Sequence, residues 1–571
     1  MPTTSQWTCR GRGAHWVARV LVATCLTAIA SPGSAQQRQL TKSDRLAALY
    51  APQLDFTRSG DPFVRVAIVE GRRRVSFRPS GPIRVMPMSD GGAEVVLPGD
   101  RTYTIDISNS RPGSYTHWVV AGRLSSERRT KLDELKETWV DRGYEPKVFQ
   151  VGGLFGVGGE VFDSRKQLVA VGGTSHYEKA RRLEKKLERE YGIDGRIHSE
   201  LTDYPGGTFE LSGEGVDAVV RHDDVLWIAP AEGQHGEIRY RVPEVPRAQA
   251  EGTESRVYTG RLIVAPDQDG NIALVNKLGV EKLLRGVVPS EIPTSAPKQA
   301  LRAQAVAARN TILGSIGVRN LADPYMLRTD VYGQVYRGLE AEHPRTTRAV
   351  EATRGEVMFS GKKIINAVYS SNAGGFTADN DSVWNAEPRS YLRGAPDAPS
   401  DEVPKAFRDG LSEGEIEEFL DSDFPAYSRD SPLRSSDYYR WQTTVDASTP
   451  LSWLAENGEE FDSLTSAEVV ERGKSGRAIR LVLESGDGRK TTVKRELNIR
   501  RLFGNLKSGL FVMETDRGPS GTIREFRFRG AGYGHGVGMC QTGAAGMAEQ
   551  GHSYREILEH YYEGIEVRTL Y

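Results

Sequence analysis

The chain has 571 residues, 75 Lys and Arg against 76 Asp and Glu, and a formal net charge of −1. At roughly 100–200 residues per domain, this length predicts two to four domains, each able to bury a core. The hydrophobic fraction of 38% and the charged fraction of 26% exclude a disordered or collagen-like chain. The balanced charge argues against nucleic acid as a partner, because binding it needs a clustered excess of Lys and Arg.

The first 35 residues resemble a secretory signal peptide in composition. Three arginines precede a short apolar run over 20–30, and small residues lead to a predicted cleavage point after Ala35. An uncleaved membrane anchor is the alternative, which the shortness of the apolar run disfavours. Only Cys540 remains after cleavage, so no disulfide within the chain is expected. We therefore predict an exported protein of the periplasm or cell envelope, with no transmembrane anchor after cleavage.

Residues 36–112 predict a β-rich N-terminal region, since short alternating strands are separated by Gly and Pro. In 113–200 a strand, a helix and a strand are followed by a second strand, helix and strand. This is the ferredoxin-like βαββαβ order. The repeat resembles the SPOR domain of bacterial envelope proteins, which implies binding to peptidoglycan glycan strands that have lost their peptides. Any other small βαβ module is the alternative, because fold alone does not determine function.

Residues 201–571 are predicted to form one large mixed domain with an acidic segment at about 397–440. A capping box at Ser412 and Glu415 predicts a helix within that segment, which we interpret as an insertion with a solvated face. Gly486-Asp487-Gly488, between two strand-like runs, predicts a hairpin. The predicted fold class is α+β, a β-rich mixed domain plus the small ferredoxin-like unit.

Glu291 is the candidate with the most specific surroundings. It lies between Pro289 and Pro293 on a predicted rigid loop, and an Ala-rich helix is predicted after Ser295 as N-cap. A carboxyl group among apolar neighbours has a raised pKa and serves as a general acid, although a helix N-terminus opposes that shift. Read from these residues alone, a single Glu beside Pro is more often structural.

Four blocks carry a family resemblance. They are GVVPSEIPTSAPKQALRAQAVAARN from Gly286, GQVYRG from Gly333, YSSNAGGFT from Tyr369 and GYGHGVGMCQTGA from Gly532. Their identity and order resemble the stage II sporulation protein D family (SpoIID/LytB domain, amidase enhancer-like). The resemblance covers 205–571 and extends to the β-rich 60–112, so the SPOR-like unit is expected to be inserted within or before the family's usual β-rich start.

The resemblance implies that Glu291 is the catalytic residue of a peptidoglycan lytic transglycosylase. Such an enzyme cleaves the MurNAc–GlcNAc bond of peptide-free glycan without water and leaves 1,6-anhydro-MurNAc ends. Polar residues of the four blocks are the predicted substrate contacts, each with a structural role as the alternative: Gln304, Arg309, Gln334, Tyr336, Ser371, Asn372, His535 and Gln541. The rival function is a non-catalytic glycan-binding enhancer whose partner is a cell-wall amidase. A muramidase that leaves reducing ends is the third possibility.

Some members of that family bind zinc through Cys and His near the SxxGGxT block. This sequence has Asn372 to Phe376 there, and His535 and Cys540 alone are too few for a structural zinc site. We therefore predict no metal and no cofactor, and interpret Cys540 as a small buried side chain.

Overall fold

The computed structural model describes residue 46 and residues 49–571, except 52–53, 88–93, 126–127, 158–159, 194–195, 224, 234–235, 248–250, 330–334 and 385–386. The predicted signal peptide, residues 1–35, lies outside the described residues. No helix among the described residues is long and apolar enough to cross a membrane.

The predicted β-rich start is present. Alternating burial, as in β5, where every second side chain enters the core, explains why these runs form strands with one inner face. The strands are β1 (Phe63–Arg72), β2 (Arg74–Pro79), β3 (Ile83–Pro87), β4 (Val95–Leu97) and β5 (Tyr103–Arg111).

The inserted unit has the predicted βαββαβ order. Its sheet has the order β11-β6-β10-β7 with all pairs antiparallel, which is the ferredoxin-like arrangement. Gly192 ends the second helix in the left-handed conformation that favours glycine. Its elements, which include a small hairpin of β8 and β9, are β6 (Ser114–Ser125), α1 (Arg129–Asp141), β7 (Lys147–Val151), β8 (Leu154–Val157), β9 (Glu160–Asp163), β10 (Lys166–Thr174), α2 (Tyr177–Tyr191) and β11 (Arg196–Asp203).

The unit ends at Asp203 and not at residue 200, because β11 pairs with β6 as far as Asp203 opposite Ser114. Two larger sheets follow, with the orders β19-β1-β18-β17-β14-β3-β4 and β13-β12-β5-β2-β15-β16. Their further strands are β12 (Gly206–Gly213), β13 (Val216–Asp223), β14 (Leu226–Pro230), β15 (Arg239–Pro246), β16 (Thr253–Thr259), β17 (Arg261–Pro266), β18 (Ile272–Gly279) and β19 (Leu327–Arg328).

Strands on both sides of the inserted unit share these sheets. In the β5–β12 ladder Arg111 faces Gly206, so the chain leaves for the unit and returns at neighbouring positions. The unit thus lies between two strands that pair with each other.

Helices packed on an Ala-rich helix form the next layer. The central helix α4 is buried on nearly all sides, and its buried residues include the polar Gln304, Arg309 and Asn310. Ser295 is not its N-cap as predicted, since Pro297 occupies that position with no side-chain capping bond. The elements are α3 (Val280–Glu291), α4 (Lys298–Ser315), α5 (Pro344–Ala352), β20 (Glu356–Ser360) and β21 (Lys363–Ile364), with a 3-10 turn at Leu339–Ala341.

The remaining chain adds small sheets and short helices, among them the two-stranded parallel pair β22–β29 and the hairpin predicted at Gly486–Gly488. Its elements are β22 (Tyr369–Ser370), α6 (Asn380–Trp384), a 3-10 turn (Lys405–Phe407), α7 (Glu413–Asp421), α8 (Ser436–Tyr439), β23 (Arg440–Asp446), α9 (Ser448–Glu456), β24 (Leu464–Arg472), β25 (Ala478–Ser485), β26 (Lys490–Lys494), α10 (Glu496–Leu502), β27 (Phe511–Arg517), β28 (Ile523–Ala531), β29 (Met539–Cys540), α11 (Gln541–Glu549), α12 (Tyr554–Tyr561) and β30 (Glu566–Thr569).

The acidic segment 397–440 is more than a solvated excursion. The predicted capping box of Ser412 and Glu415 is present at the start of α7. However, Phe407 and Phe419 are buried in a separate hydrophobic cluster. The prediction of a solvated face is therefore wrong for the side of the segment that carries these phenylalanines. It considered the acidic residues of the segment and not the aromatic residues among them.

Candidate functional site

Glu291 is the last residue of α3 and does not lie on a loop, as its flanking prolines had suggested. Pro289 is accommodated inside the helix, and Ile292 leaves it in an extended conformation before Pro293. The Glu291 backbone carbonyl accepts a hydrogen bond from Gln541 Nε2 at 2.9 Å. Its Oε1 accepts one from the backbone N–H of Val335 at 3.1 Å. Both ends of the residue are therefore fixed by distant parts of the chain.

Burial raises the pKa of Glu291 above its ordinary value. The Val335 N–H, the cationic Arg337 and a hydrogen bond from the Tyr369 side chain favour the ionised form but do not cancel the effect of burial. The C-terminal end of α3 carries a partial negative charge, which favours the protonated carboxyl as well. Glu291 is thus a half-buried carboxyl group suited to holding and releasing a proton.

Tyr369 is a site residue that the sequence analysis did not select, although it begins the YSSNAGGFT block. It lies in β22, and the parallel pairing of β22 with β29 joins its backbone to Met539. His535 accepts a hydrogen bond from Val537 N at Nδ1, at 3.0 Å, and its ring also hydrogen-bonds the backbone of Tyr369. His535 therefore holds Tyr369 in place.

The imidazole of His535 is neutral. Burial, with the nearby cations Arg477 and Arg500, lowers its pKa to about 3. A group with that pKa does not exchange protons near neutral pH. Its place in the site is that of a positioning residue, and a proton-transfer role has no support.

Gln304 and Gln541 are hydrogen-bonded to each other next to the backbone carbonyl of Glu291. Gln541 Nε2 donates to Gln304 Oε1 at 3.1 Å as well as to the Glu291 carbonyl. Gln304 is completely buried, and its own Nε2 has no hydrogen-bond partner among the described residues. The pair was predicted to contact substrate, but it instead fixes the end of α3 against the start of α11.

Arg309 and Tyr336 are core residues, and their surroundings give no support to the prediction that they contact substrate. The Arg309 guanidinium donates to both carboxylate oxygens of Glu281, at 2.7 and 2.8 Å, with no exposed surface. Burial alone would raise the pKa of Glu281, but Arg309 and a hydrogen bond from Tyr571 lower it. Tyr336 is buried against Tyr258 with ring centroids 5.6 Å apart. These side chains stabilise the core around α4.

The last three predicted substrate contacts are Asn372, Ser371 and Gln334. Asn372 is buried and accepts a hydrogen bond from Gly374 N at 2.8 Å, so it shapes its own loop. Ser371 is half-buried, and its carbonyl accepts from the Thr542 hydroxyl at 2.8 Å. Gln334 lies outside the described residues.

Arg477 is a second residue that the sequence analysis missed. Its fully buried guanidinium donates to the carbonyls of Ala373 and Phe376, at 2.8 and 2.9 Å. It also packs on Gly536, where any Cβ would clash with it. One buried cation therefore joins the SSNAGGFT loop to the HGVG turn. No motif links residues so far apart in sequence.

The surroundings of Cys540 do not fit zinc. Its Sγ accepts hydrogen bonds from Ala373 N and Gly543 N, both at 3.2 Å. Burial and the neighbouring Asp397 raise the pKa of the thiol well above its ordinary value, whereas zinc binds the thiolate. Among the described residues no group of three or more His, Cys, Asp or Glu side chains is arranged to hold a metal ion.

Two separate parts of the chain match different protein families. Residues 268–359 match the family described as stage II sporulation protein, and 378–538 match a domain of unknown function (DUF8618). An uncharacterized protein of Brachyspira hyodysenteriae is 30% identical over 311 residues, which are 54% of this chain and 72% of that protein. The amidase enhancer of Bacillus subtilis is 29% identical over 305 residues, 49% of this chain but only 39% of its own length. Stage II sporulation protein D of Bacillus amyloliquefaciens is 25% identical over 307 residues, 51% of this chain and 75% of its own length.

The two matched segments contain only some of the residues described above, since Tyr369 and Gln541 lie in neither. Glu291 lies in the first segment, whereas Arg477 and His535 lie in the second. Residues 201–571, which we predicted as one domain, thus contain two segments that match different families.

We predict that Arg309→Ala lowers the free energy of unfolding by about 3–5 kcal/mol, because the Glu281 carboxylate would remain buried without its cation. Urea denaturation measures the change. Arg348→Ala is the matched control, since Arg348 is exposed on α5, and it should change stability by less than about 0.5 kcal/mol. An Arg309→Ala protein as stable as the wild type would contradict the structural role.

Proposed function

We propose, since this chain belongs to the stage II sporulation protein family, that it is an exported peptidoglycan lytic transglycosylase. It would cleave the MurNAc–GlcNAc bond of peptide-free glycan strands and leave 1,6-anhydro-MurNAc ends. The observation that carries the proposal is the half-buried Glu291, whose pKa is raised where three distant segments meet.

A transglycosylase needs one carboxyl group where most glycosidases need two. Glu291 would first donate its proton to the leaving glycosidic oxygen as the C1–O4 bond breaks. The ionised carboxylate would then take the proton of the sugar's own 6-hydroxyl as the C1–O6 bond forms. Proton and bond changes balance without water, and the carboxyl group returns to its starting state.

The neighbours of Glu291 suit this single-carboxylate chemistry. Its described hydrogen-bond partners are a backbone N–H, the Tyr369 phenol and the Gln541 amide, and none of them is a second carboxylate. Arg337 adds a positive charge nearby, which would stabilise the ionised intermediate state. Burial restores the protonated form for the next cycle.

The inserted unit is proposed as a second glycan-binding module of the SPOR type. Aromatic side chains lie on the face of its sheet opposite the helices: Trp118 and Phe149 are 5.6 Å apart, and Phe149 and His198 are 4.4 Å apart. Lys147 lies over the Trp118 ring at 5.1 Å. Half-buried rings beside a charged group offer both an apolar and a hydrogen-bonding surface to a sugar. Leu321 packs against part of this face.

A non-catalytic enhancer of a cell-wall amidase is the second candidate, which the name of the Bacillus subtilis relative favours. Product analysis separates the candidates. Digestion of purified peptide-free strands should release 1,6-anhydro-MurNAc ends if the proposal is right. Reducing ends would indicate a muramidase, and intact strands would indicate the enhancer.

We predict that Glu291→Gln abolishes cleavage while the protein remains folded. Gln keeps the shape and the hydrogen bond from Val335 but cannot transfer a proton, so the loss should be at least about 10²–10⁴-fold. The assay is release of 1,6-anhydro ends, with circular dichroism as the folding check. Glu351→Gln, at an exposed Glu on the same layer of helices, is the matched control and should keep full activity. Activity of Glu291→Gln within about threefold of wild type would exclude this residue.

We also predict the direction of the pH dependence. A general acid works in its protonated form, so kcat/KM should fall as pH rises through the pKa of Glu291. Because burial raises that pKa, the fall should occur at higher pH than for an exposed Glu. Tyr369→Phe removes a hydrogen bond that favours the ionised form, which should raise the pKa and move the fall to still higher pH. If kcat/KM of Tyr369→Phe fell at a lower pH than kcat/KM of the wild type, Glu291 would not be the general acid.

We predict that removing the inserted unit weakens binding to sacculi by about tenfold or more, because two linked sites raise each other's effective concentration. The deletion should remove 112–205 and join Arg111 to Gly206 by a short turn, since these residues face each other in one ladder. Turnover of short soluble glycans should stay within about threefold of the wild type.

Phe149→Ala tests the aromatic face of the unit without a deletion, and Val140→Ala, exposed on α1, is its control. Unchanged sacculus binding in folded variants would remove the targeting role.

A further inference from the structure

Two tyrosines form an exposed stack beside the candidate site. Tyr438 is 36% exposed and Tyr533 is 41% exposed. Their ring centroids are 4.4 Å apart with planes inclined by 27°, so the rings are stacked on each other and the pair still faces solvent. The exposed aromatic surface of the pair is available for stacking with a ligand.

The backbone connects this pair to the catalytic carboxyl group. Tyr533 and Asn372 exchange two backbone hydrogen bonds, at 2.8 and 3.1 Å. Asn372 is three residues from Tyr369, which hydrogen-bonds Glu291. Three extended residues span about 10 Å. The tyrosine stack is therefore within the reach of a glycan strand bound at Glu291.

A polar cavity of about 410 Å³ lies next to Tyr438 and includes Asp437 and Arg440 in its lining. Within the same lining Arg529 pairs with Asp421 at 2.7 Å, and Lys507 Nζ donates to the Asp437 carbonyl at 2.8 Å. Donors and acceptors are thus present, while the opposite charges largely compensate each other. Such a cavity offers hydrogen-bond partners to the hydroxyl and acetamido groups of a sugar.

We propose that Tyr438 and Tyr533 form a distal subsite for an N-acetylated hexosamine of the glycan strand, several sugars away from the scissile bond. The apolar C–H face of the sugar would stack on the tyrosine rings, and its polar edge would face the adjacent cavity. The inference rests on the proposed function. Both tyrosines belong to the segment matched as a domain of unknown function, so this segment would contribute to the recognition of long strands.

The test compares peptide-free glycan tetrasaccharide with octasaccharide in the full-length protein. For Tyr438→Ala the ratio of kcat/KM for octasaccharide over tetrasaccharide should fall about tenfold, the effect of losing one aromatic stacking contact. Tyr438→Phe should keep most of the ratio, because the ring remains. Phe56→Ala is the matched control, since Phe56 is 41% exposed elsewhere, and its ratio should equal that of the wild type.

Octasaccharide binding in the Glu291→Gln background separates this inference from the proposed function. Titration calorimetry should show binding that weakens about tenfold when Tyr438→Ala or Tyr533→Ala is added. If binding weakens while the wild type leaves no 1,6-anhydro ends, the subsite stands and the transglycosylase activity is refuted. If folded Tyr438→Ala and Tyr533→Ala proteins bind and cleave octasaccharide as well as their parents, the subsite is refuted. A protein that binds no glycan refutes both.

Discussion

Close packing against the Ala-rich helix α4 is the constraint on which the site depends. Alanine adds only a Cβ, so α3, α5, α11 and α12 all contact this one helix. That approach brings the end of α3 to the start of α11, where Gln541 reaches both Glu291 and Gln304. Larger side chains on α4 would separate these ends, and Glu291 would lose the hydrogen bonds that fix its backbone.

The same layer of helices gives two glutamates opposite protonation behaviour. Glu281 and Glu291 lie near the two ends of α3, where Glu281 is buried and Glu291 is half-buried. Glu281 meets the Arg309 guanidinium directly, so it is held ionised and serves as a structural ion pair. Glu291 meets mainly neutral donors, so burial dominates and its pKa rises. The position of one buried arginine thus decides which carboxyl group is available for proton transfer.

Periodicity and turn residues predicted much of the fold, including the βαββαβ unit, the Ala-rich helix and the hairpin at Gly486–Gly488. The reading of Glu291 as a loop residue failed because the prolines beside it were taken as helix breakers, whereas one is tolerated inside α3. The motifs located the site but did not separate residues that build it from residues that face a ligand, as Arg309 shows. Arg477 could not be found, because contacts between distant segments leave no local pattern.

The position of the inserted unit follows from the sheet that carries it. The chain departs after Arg111 and returns at Gly206, two positions that would face each other in the ladder with or without an insertion. The connections are short, and contacts such as Gly152 N to Gly317 O, at 2.5 Å, join the unit to the segment after α4. A unit attached by short connections and such contacts has little freedom to move relative to the rest of the chain. Its orientation toward the helical layer is restricted, so a strand bound to both would have to follow one path across the surface. This restriction would make two weak glycan contacts cooperate more strongly than a flexible linker would allow.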